Sequence, residues 1–159
     1  MTKQERLQKA WHHFDDGQGH LPSSARQACE WAVSEGLLDL PEIDPYDLLA
    51  EDMAQALRAE YKTDNKGRRY RVNHAVRVSK SGVQYTFWAQ MGFAEHTHME
   101  RAFAQRREQI IGDCVQLNTD VDVYNDLTAG KSMPKVQMVL DFTEDVAERE
   151  QQRRFGKAA

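Results

Sequence analysis

The sequence predicts an α+β fold in which three helices precede a three-stranded antiparallel meander, and a long helix and a short strand follow it. Two changes of period carry this prediction. Apolar residues recur every three or four positions up to Glu60, and they alternate with polar residues from about Arg68 to Met91. The helical period then returns near Glu95, and it continues for about seven turns.

Three start signals define the predicted N-terminal helices. Thr2 and Glu5 have the spacing of a capping box, in which each side chain satisfies a free backbone donor near the other. A second helix is expected from about Ser24 to Glu35, with Gly36 as its left-handed C-terminal cap. Asp44-Pro45 predicts the start of a third helix, with aspartate at the N-cap and proline at the first helical position.

Two turn signals divide the following segment into strands. The residues from Asp64 to Gly67 predict one hairpin turn, and those from Lys80 to Gly82 predict another. We expect one strand over about residues 68–79 and the next over 83–91, which gives a sheet with an apolar face and a polar, basic face. The residues predicted on the polar face are Arg69, Arg71, Asn73, Ala75, Arg77, Gln84, Thr86, Trp88 and Gln90.

The long C-terminal helix is expected to carry an apolar seam, which Arg106 interrupts. Such a seam packs either on its own chain or on a second copy, and we expect a homodimer. A short strand over Val136–Phe142 and an acidic helix from Glu144 are predicted next, with a frayed tail beyond Gln151. The predicted dimer-interface residues are Phe103, Ile110, Cys114, Leu117 and Val121.

The order of three helices followed by two hairpins resembles a winged-helix DNA-binding domain in topology, over roughly residues 3–91. The resemblance rests on the order of the elements and on no residue motif. It implies a winged-helix-like domain over residues 1–92, with residues 93–159 as a helical extension that ends in an acidic segment.

A basic segment is the strongest functional signal in the chain. Residues 61–80 hold seven basic side chains and one acid, Asp64, within a protein whose formal net charge is −4. Such charge separation attracts polyanions, and arginine in particular pairs with phosphate in a bidentate manner. The other interpretation is a solvated hairpin whose charges protect strand edges. The predicted nucleic-acid-binding residues are Lys62, Lys66, Arg68, Arg69, Arg71, Arg77 and Trp88.

The third helix opposes a simple winged-helix interpretation. From Asp39 to Glu60 there are seven acids and one base, Arg58. A recognition helix in the major groove lies among phosphates, which would repel these carboxylates. The alternative function is therefore a protein–protein adaptor or inhibitor, whose acidic helix and acidic C-terminal segment dock a basic partner.

Other function classes lack support in the sequence. No phosphate-binding glycine loop, dinucleotide fingerprint, HExxH or GxSxG motif is present, and the histidines lack zinc-finger spacing. We therefore expect no enzymatic activity, catalytic residue, metal or cofactor. No apolar run approaches the roughly 18–20 residues that span a bilayer, so we expect a cytoplasmic protein that does not enter membranes. Of the two nucleic acids, we expect DNA rather than RNA as the ligand.

Overall fold

The computed structural model describes residues 1–156 and shows a mixed α+β protein with five helices and two small antiparallel sheets in that part of the chain. It divides into two compact units, one over Met1–Gln55 and the other from Ala56 onward. The sequence analysis predicts a boundary between two separately folding domains near residue 92. The division into compact units does not test this boundary, which stays a prediction.

The first unit is built on a pair of helices, α1 (Lys3–Gly17) and α2 (Ala25–Ser34). Both begin with a complete capping box, as the sequence predicts for the first of them: Thr2 with Glu5, and Ser24 with Gln27. Phe14 is buried between the helices, with its ring 5.8 Å from that of Trp31. The remaining buried residues of the pair are the small side chains Ala10, Ala28 and Ala32.

The end of α2 confirms the predicted glycine cap. Gly36 has a φ of 69°, and the N–H groups of Gly36 and Leu37 donate to the carbonyls of Val33 and Ala32. These two hydrogen bonds form a Schellman motif, which requires a residue in the left-handed conformation and therefore favours glycine.

Helix α3 (Pro45–Ala59) begins as the sequence predicts, because the Asp44 carboxylate accepts a hydrogen bond from the backbone of Tyr46 at 2.9 Å. All of its residues are described and none is buried. Tyr46, Leu49 and Met53 lie three or four positions apart and are all exposed.

Four strands form two separate hairpins in the second unit. Strand β1 (Tyr61–Thr63) pairs with β2 (Arg69–Arg71), and β3 (Asn73–Lys80) pairs with β4 (Val83–Gln90). The predicted turn at Ser81-Gly82 is confirmed: both residues have positive φ, as a two-residue hairpin loop of the primed type requires.

The predicted three-stranded meander and the winged-helix arrangement are not confirmed. The chain bends at Val72, which ends one ladder and begins the other. Its N–H donates to Glu60 O at 3.1 Å, while its carbonyl accepts from Met91 N–H at 2.8 Å. Because the alternation of apolar and polar residues continues through Val72, the period alone does not reveal this break.

Helix α4 (His96–Leu127) packs on β3 through its first turns. Ala102 is only 1% exposed there, and the ring of Phe103 meets the ring of His74 edge-on at 5.3 Å. Beyond this contact, the helix continues for about six turns with no further buried residue among those described.

The predicted strand over Val136–Phe142 is wrong. No residue from 134 to 142 is in a strand, although all of them are described. The Asn125 amide on α4 instead accepts from Val136 N–H at 2.9 Å and donates to Val136 O at 2.8 Å. A side chain therefore occupies backbone groups that a neighbouring strand would have used.

The last helix, α5 (Thr143–Gly156), runs further than the sequence predicts. The Asp141 carboxylate accepts hydrogen bonds from the backbone and hydroxyl of Thr143, which lowers the pKa of Asp141. Acidic residues occupy the first turn, and Arg153 and Arg154 occupy the last, an order that suits the helix dipole. Of the predicted frayed tail, residues 157–159 lie outside the described part of the chain.

Candidate polyanion-binding site

The basic segment does not form one uniform surface, because its first arginine is neutralised locally. The Arg68 side chain contacts the Asp64 carboxylate through Nε at 2.8 Å and Nη2 at 2.7 Å. The same carboxylate accepts from the backbone N–H groups of Lys66 and Arg68. These interactions hold the pKa of Asp64 below its ordinary value, with the backbone bond from Arg68 as the largest cause.

Tyr61 holds the next two arginines of the segment. The Arg69 guanidinium lies over the Tyr61 ring, with 4.0 Å between its Cζ and the ring centroid. Arg71 approaches the same ring at 6.0 Å, and its Nε donates to the Tyr61 hydroxyl at 3.1 Å. Neither contact neutralises a positive charge, so both guanidinium groups keep their capacity for an anion.

The two lysines of the first hairpin also carry charges without a carboxylate partner among the described residues. Lys62 and Lys66 are exposed, and neither forms an ion pair with a carboxylate of the described residues. Lys62 lies opposite Tyr70 in the β1–β2 ladder. Since side chains alternate along a strand, Lys62 and Arg69 project from opposite faces of this hairpin.

A second group of basic residues lines a hollow of about 110 Å³ beside β3, which we call the arginine hollow. It contains three predicted site residues, Arg71, Arg77 and Trp88, and brings Arg58 and Arg106 to them. The strand register explains why Arg77 and Trp88 share a face, since their cross-strand partners are Thr86 and Ala75. The Arg58 guanidinium lies 5.4 Å from the centroid of the Trp88 ring.

Sequence analysis missed Arg58 and Arg106 as site residues because they lie on helices distant in the chain. Each nevertheless carried a signal. Arg58 is the single base among the acids around α3, and Arg106 interrupts an otherwise apolar seam. In the structure, Arg58 and Arg106 both line the arginine hollow.

The floor of the arginine hollow is buried and fully hydrogen-bonded. Asn73 donates to Leu57 O at 3.2 Å and to the Glu60 carboxylate at 2.7 Å. His74 is 4% exposed, and its Nε2 donates to Arg71 O at 2.9 Å. Because these polar groups have partners within the protein, the floor keeps its shape without a ligand.

Helix α4 fixes the wall of the hollow through two polar contacts with β3. Gln105 accepts from Arg77 N–H at 2.8 Å and donates to Arg77 O at 2.9 Å. His98 Nε2 donates to His74 O at 2.9 Å. The first pair occupies backbone groups that would otherwise be free on the outer edge of β3.

The residues that line the hollow include four arginines and no carboxylate. Burial lowers the pKa of His74, and the charges of Arg106, Arg71 and His98 lower it further, while the hydrogen bond to Arg71 O opposes them. Within residues 1–156, none of the four arginines of the hollow forms an ion pair with a carboxylate. Four arginines therefore line the hollow without a carboxylate partner.

Comparison with known proteins does not identify this site. No protein-family model, characterised protein or solved structure matches the chain.

The predicted dimer residues lie along one side of α4. Phe103, Ile110 and Leu117 are exposed, with Ile110 at 56%, whereas Cys114 and Val121 are half-buried. Leu140 and Phe142 lie against part of this side, and an apolar groove of about 740 Å³ remains between them and the helix. The seam is thus covered in part by its own chain.

Neither a metal site nor a membrane-spanning helix occurs among the described residues. No group of three or more His, Cys, Asp or Glu side chains in residues 1–156 is arranged to hold a metal ion. None of the described helices combines the length and the apolar character needed to cross a membrane.

Proposed function

We propose that this protein is a non-enzymatic, cytoplasmic nucleic-acid-binding regulator, with DNA as the preferred ligand. The observation that carries the proposal is the set of guanidinium groups without carboxylate partners on the second unit: Arg58, Arg69, Arg71, Arg77 and Arg106. All of them except Arg69 line the arginine hollow together with Trp88. Phosphate is the anion that arginine binds best in a planar, bidentate manner.

The proposed surface does not depend on a helix in the major groove. The acids around α3 oppose that mode, and the winged-helix likeness now rests on element order alone. A sheet-centred grip uses the backbone phosphates, which position a protein on nucleic acid without reading its sequence.

Salt-dependent binding tests the proposal. The purified protein should bind a fluorescent 20-base-pair duplex at micromolar concentration, with an affinity that falls steeply as the salt concentration rises. Arg77→Ala should weaken binding and reduce the slope of log affinity against log salt by about 0.9, the contribution of one phosphate contact. Arg26→Ala is the matched control, because Arg26 is already paired with Glu30. Absence of salt-sensitive binding in the wild-type protein contradicts the proposal.

A homodimer through α4 belongs to the same proposal. Residues 96–108 carry three arginines and two glutamates, whereas residues 109–127 carry four aspartates and no Lys or Arg. Antiparallel pairing of two copies therefore places the basic half of each helix beside the acidic half of the other, and parallel pairing places acid beside acid. The exposed seam residues Phe103, Ile110 and Leu117 would supply the apolar contact.

The exposed stripe on α3 favours a second candidate function, a protein adaptor. Tyr46 is 81% exposed, and it lies on one helical stripe with Leu49 and Met53, among the acids of this region. An apolar stripe rimmed by carboxylates suits a partner with an apolar, basic surface. Under this alternative, a protein retained after nuclease treatment of the lysate should be lost with the double variant Leu49→Asp, Met53→Asp.

A further inference from the structure

The arginine hollow is a recess formed by residues from several elements of the second unit. Its lining combines buried residues, among them His74 and Ala102, with arginines from four separate elements. Arg58 comes from α3, Arg71 from β2, Arg77 from β3 and Arg106 from α4. Side chains that approach from several directions surround a ligand rather than lie along one.

The size of the hollow limits what it can hold. At about 110 Å³ it is well below the roughly 300–1,000 Å³ of sites that enclose a drug-sized ligand. One phosphate group is suited to such a space, whereas a whole nucleotide is not. The Trp88 ring lies beside it, where Arg58 covers one of its faces.

The charge of the hollow favours a phosphate at the end of a strand. An internal phosphodiester carries one negative charge and has the strand continuing on both sides, which hinders its entry into a recess. A phosphomonoester carries about −1.5 to −2 at pH 7, presents three acceptor oxygens and is linked to the strand on one side only. Four unpaired guanidinium groups match the higher charge and the larger number of acceptors.

We propose that the arginine hollow binds the terminal phosphomonoester of a nucleic-acid strand. This inference rests on the proposed function and gives it a ligand class, a phosphorylated end. Arg69, which shares the Tyr61 face of the adjoining hairpin with Arg71, then contacts the strand that leads to that end. This contact supplies a part of the affinity that does not depend on the end.

Oligonucleotides that differ only in their ends test the inference. Fluorescence anisotropy is measured on one sequence with a 5′-phosphate, a 3′-phosphate or hydroxyl ends, as single strand and as duplex. We expect one phosphorylated form to bind at least tenfold more tightly than the hydroxyl form. Arg106→Ala should abolish this difference, Arg106→Lys should retain part of it, and Arg26→Ala should leave it unchanged. Circular dichroism and the melting temperature establish that each variant is folded.

The outcomes separate this inference from the proposed function. Salt-dependent binding with the same affinity for all ends overturns the inference and leaves the proposed function standing. If no oligonucleotide binds but inorganic phosphate raises the melting temperature of the wild type and not of Arg106→Ala, the hollow is a small-anion site and both proposals fail. A phosphoserine peptide that binds as tightly as the phosphorylated oligonucleotide also overturns the assignment to nucleic acid.

Discussion

The side-chain amide of Gln105 forms two hydrogen bonds with the backbone of Arg77, accepting from its N–H at 2.8 Å and donating to its carbonyl at 2.9 Å. The amide thus forms, on the outer edge of β3, the two hydrogen bonds that a neighbouring strand would form. It joins helix α4 to the strand at the residue whose side chain enters the arginine hollow.

Replacing Gln105 by alanine should destabilise the protein by about 1–3 kcal/mol, because two backbone groups lose their partner in one substitution. Chemical denaturation followed by circular dichroism measures this loss. Gln109→Ala is the control, since Gln109 also lines the hollow but forms no hydrogen bond shown among the described residues. Equal effects of the two substitutions would contradict a special role for the Gln105 contact.

Releasing Arg68 from Asp64 should strengthen polyanion binding. Asp64→Asn retains a side-chain oxygen for the backbone N–H groups of the turn but removes the charge that pairs with Arg68. We expect the affinity for duplex DNA to rise roughly threefold at low salt, as one negative charge leaves the surface. Glu30→Gln, which frees Arg26 in the other unit, serves as the control and should leave the affinity unchanged.

His74 should make the protein less stable in mild acid. Its pKa in the folded protein is below the ordinary value of 6.5, so the unfolded chain takes up the proton first as the pH falls. The free energy of unfolding should therefore fall as the pH drops below about 6.5, until the lowered folded pKa is passed. His74→Gln should flatten this part of the profile.

The His74 test compares two profiles because another histidine acts in the opposite direction. Asp15 raises the pKa of His20, which adds stability as the pH falls, and this contribution is the same in both proteins. In the same titrations by NMR, bound phosphate should raise the pKa of His74, since it offsets the charges of Arg106 and Arg71. An unchanged His74 titration in saturating phosphate would place the anion elsewhere.

Polar substitutions on the α4 seam should separate a dimer into monomers. The double variant Ile110→Gln, Leu117→Gln should sediment as a monomer at concentrations where the wild type is dimeric. Val123→Gln with Leu127→Gln is the matched control, because both residues are exposed apolar side chains of the same helix outside the seam. A wild-type protein that is monomeric at all concentrations contradicts the dimer outright.

Spin labels distinguish the direction of the two helices. With both cysteines replaced by serine, a label at Asp122→Cys should lie about 30 Å from its counterpart in an antiparallel pair centred on the helix midpoint, given a rise of 1.5 Å per residue. A parallel pair would place the two labels within about 15 Å.

Local signals predicted the helix starts and turns well. The Thr2–Glu5 capping box, the Gly36 cap and the Ser81-Gly82 turn each depend on a few neighbouring residues, and all three are present. The prediction of a strand over Val136–Phe142 was wrong because a strand depends on residues that are distant in the sequence. Its apolar composition suits a strand, but a strand forms only beside another one, and Asn125 occupies the backbone groups of Val136.

The candidate site was predictable only in part. The alternation along β3 and β4 correctly placed Arg77 on the same face as Trp88, because cross-strand register follows from a short turn. Arg58 and Arg106 reach the same place from two helices, and no local period relates their positions to the strands. In the sequence, Arg58 is unusual as a base among acids, and Arg106 is unusual as a charged residue in an apolar seam.

The bend at Val72 connects the two hairpins in series. One residue donates its N–H to the first ladder and offers its carbonyl to the second, with no spacer between them. The strand pair that carries Lys62 and Arg69 is therefore joined directly to the strands that line the hollow. The two parts of the basic surface therefore depend on one backbone position, and a substitution that changes the bend at Val72 would displace both of them.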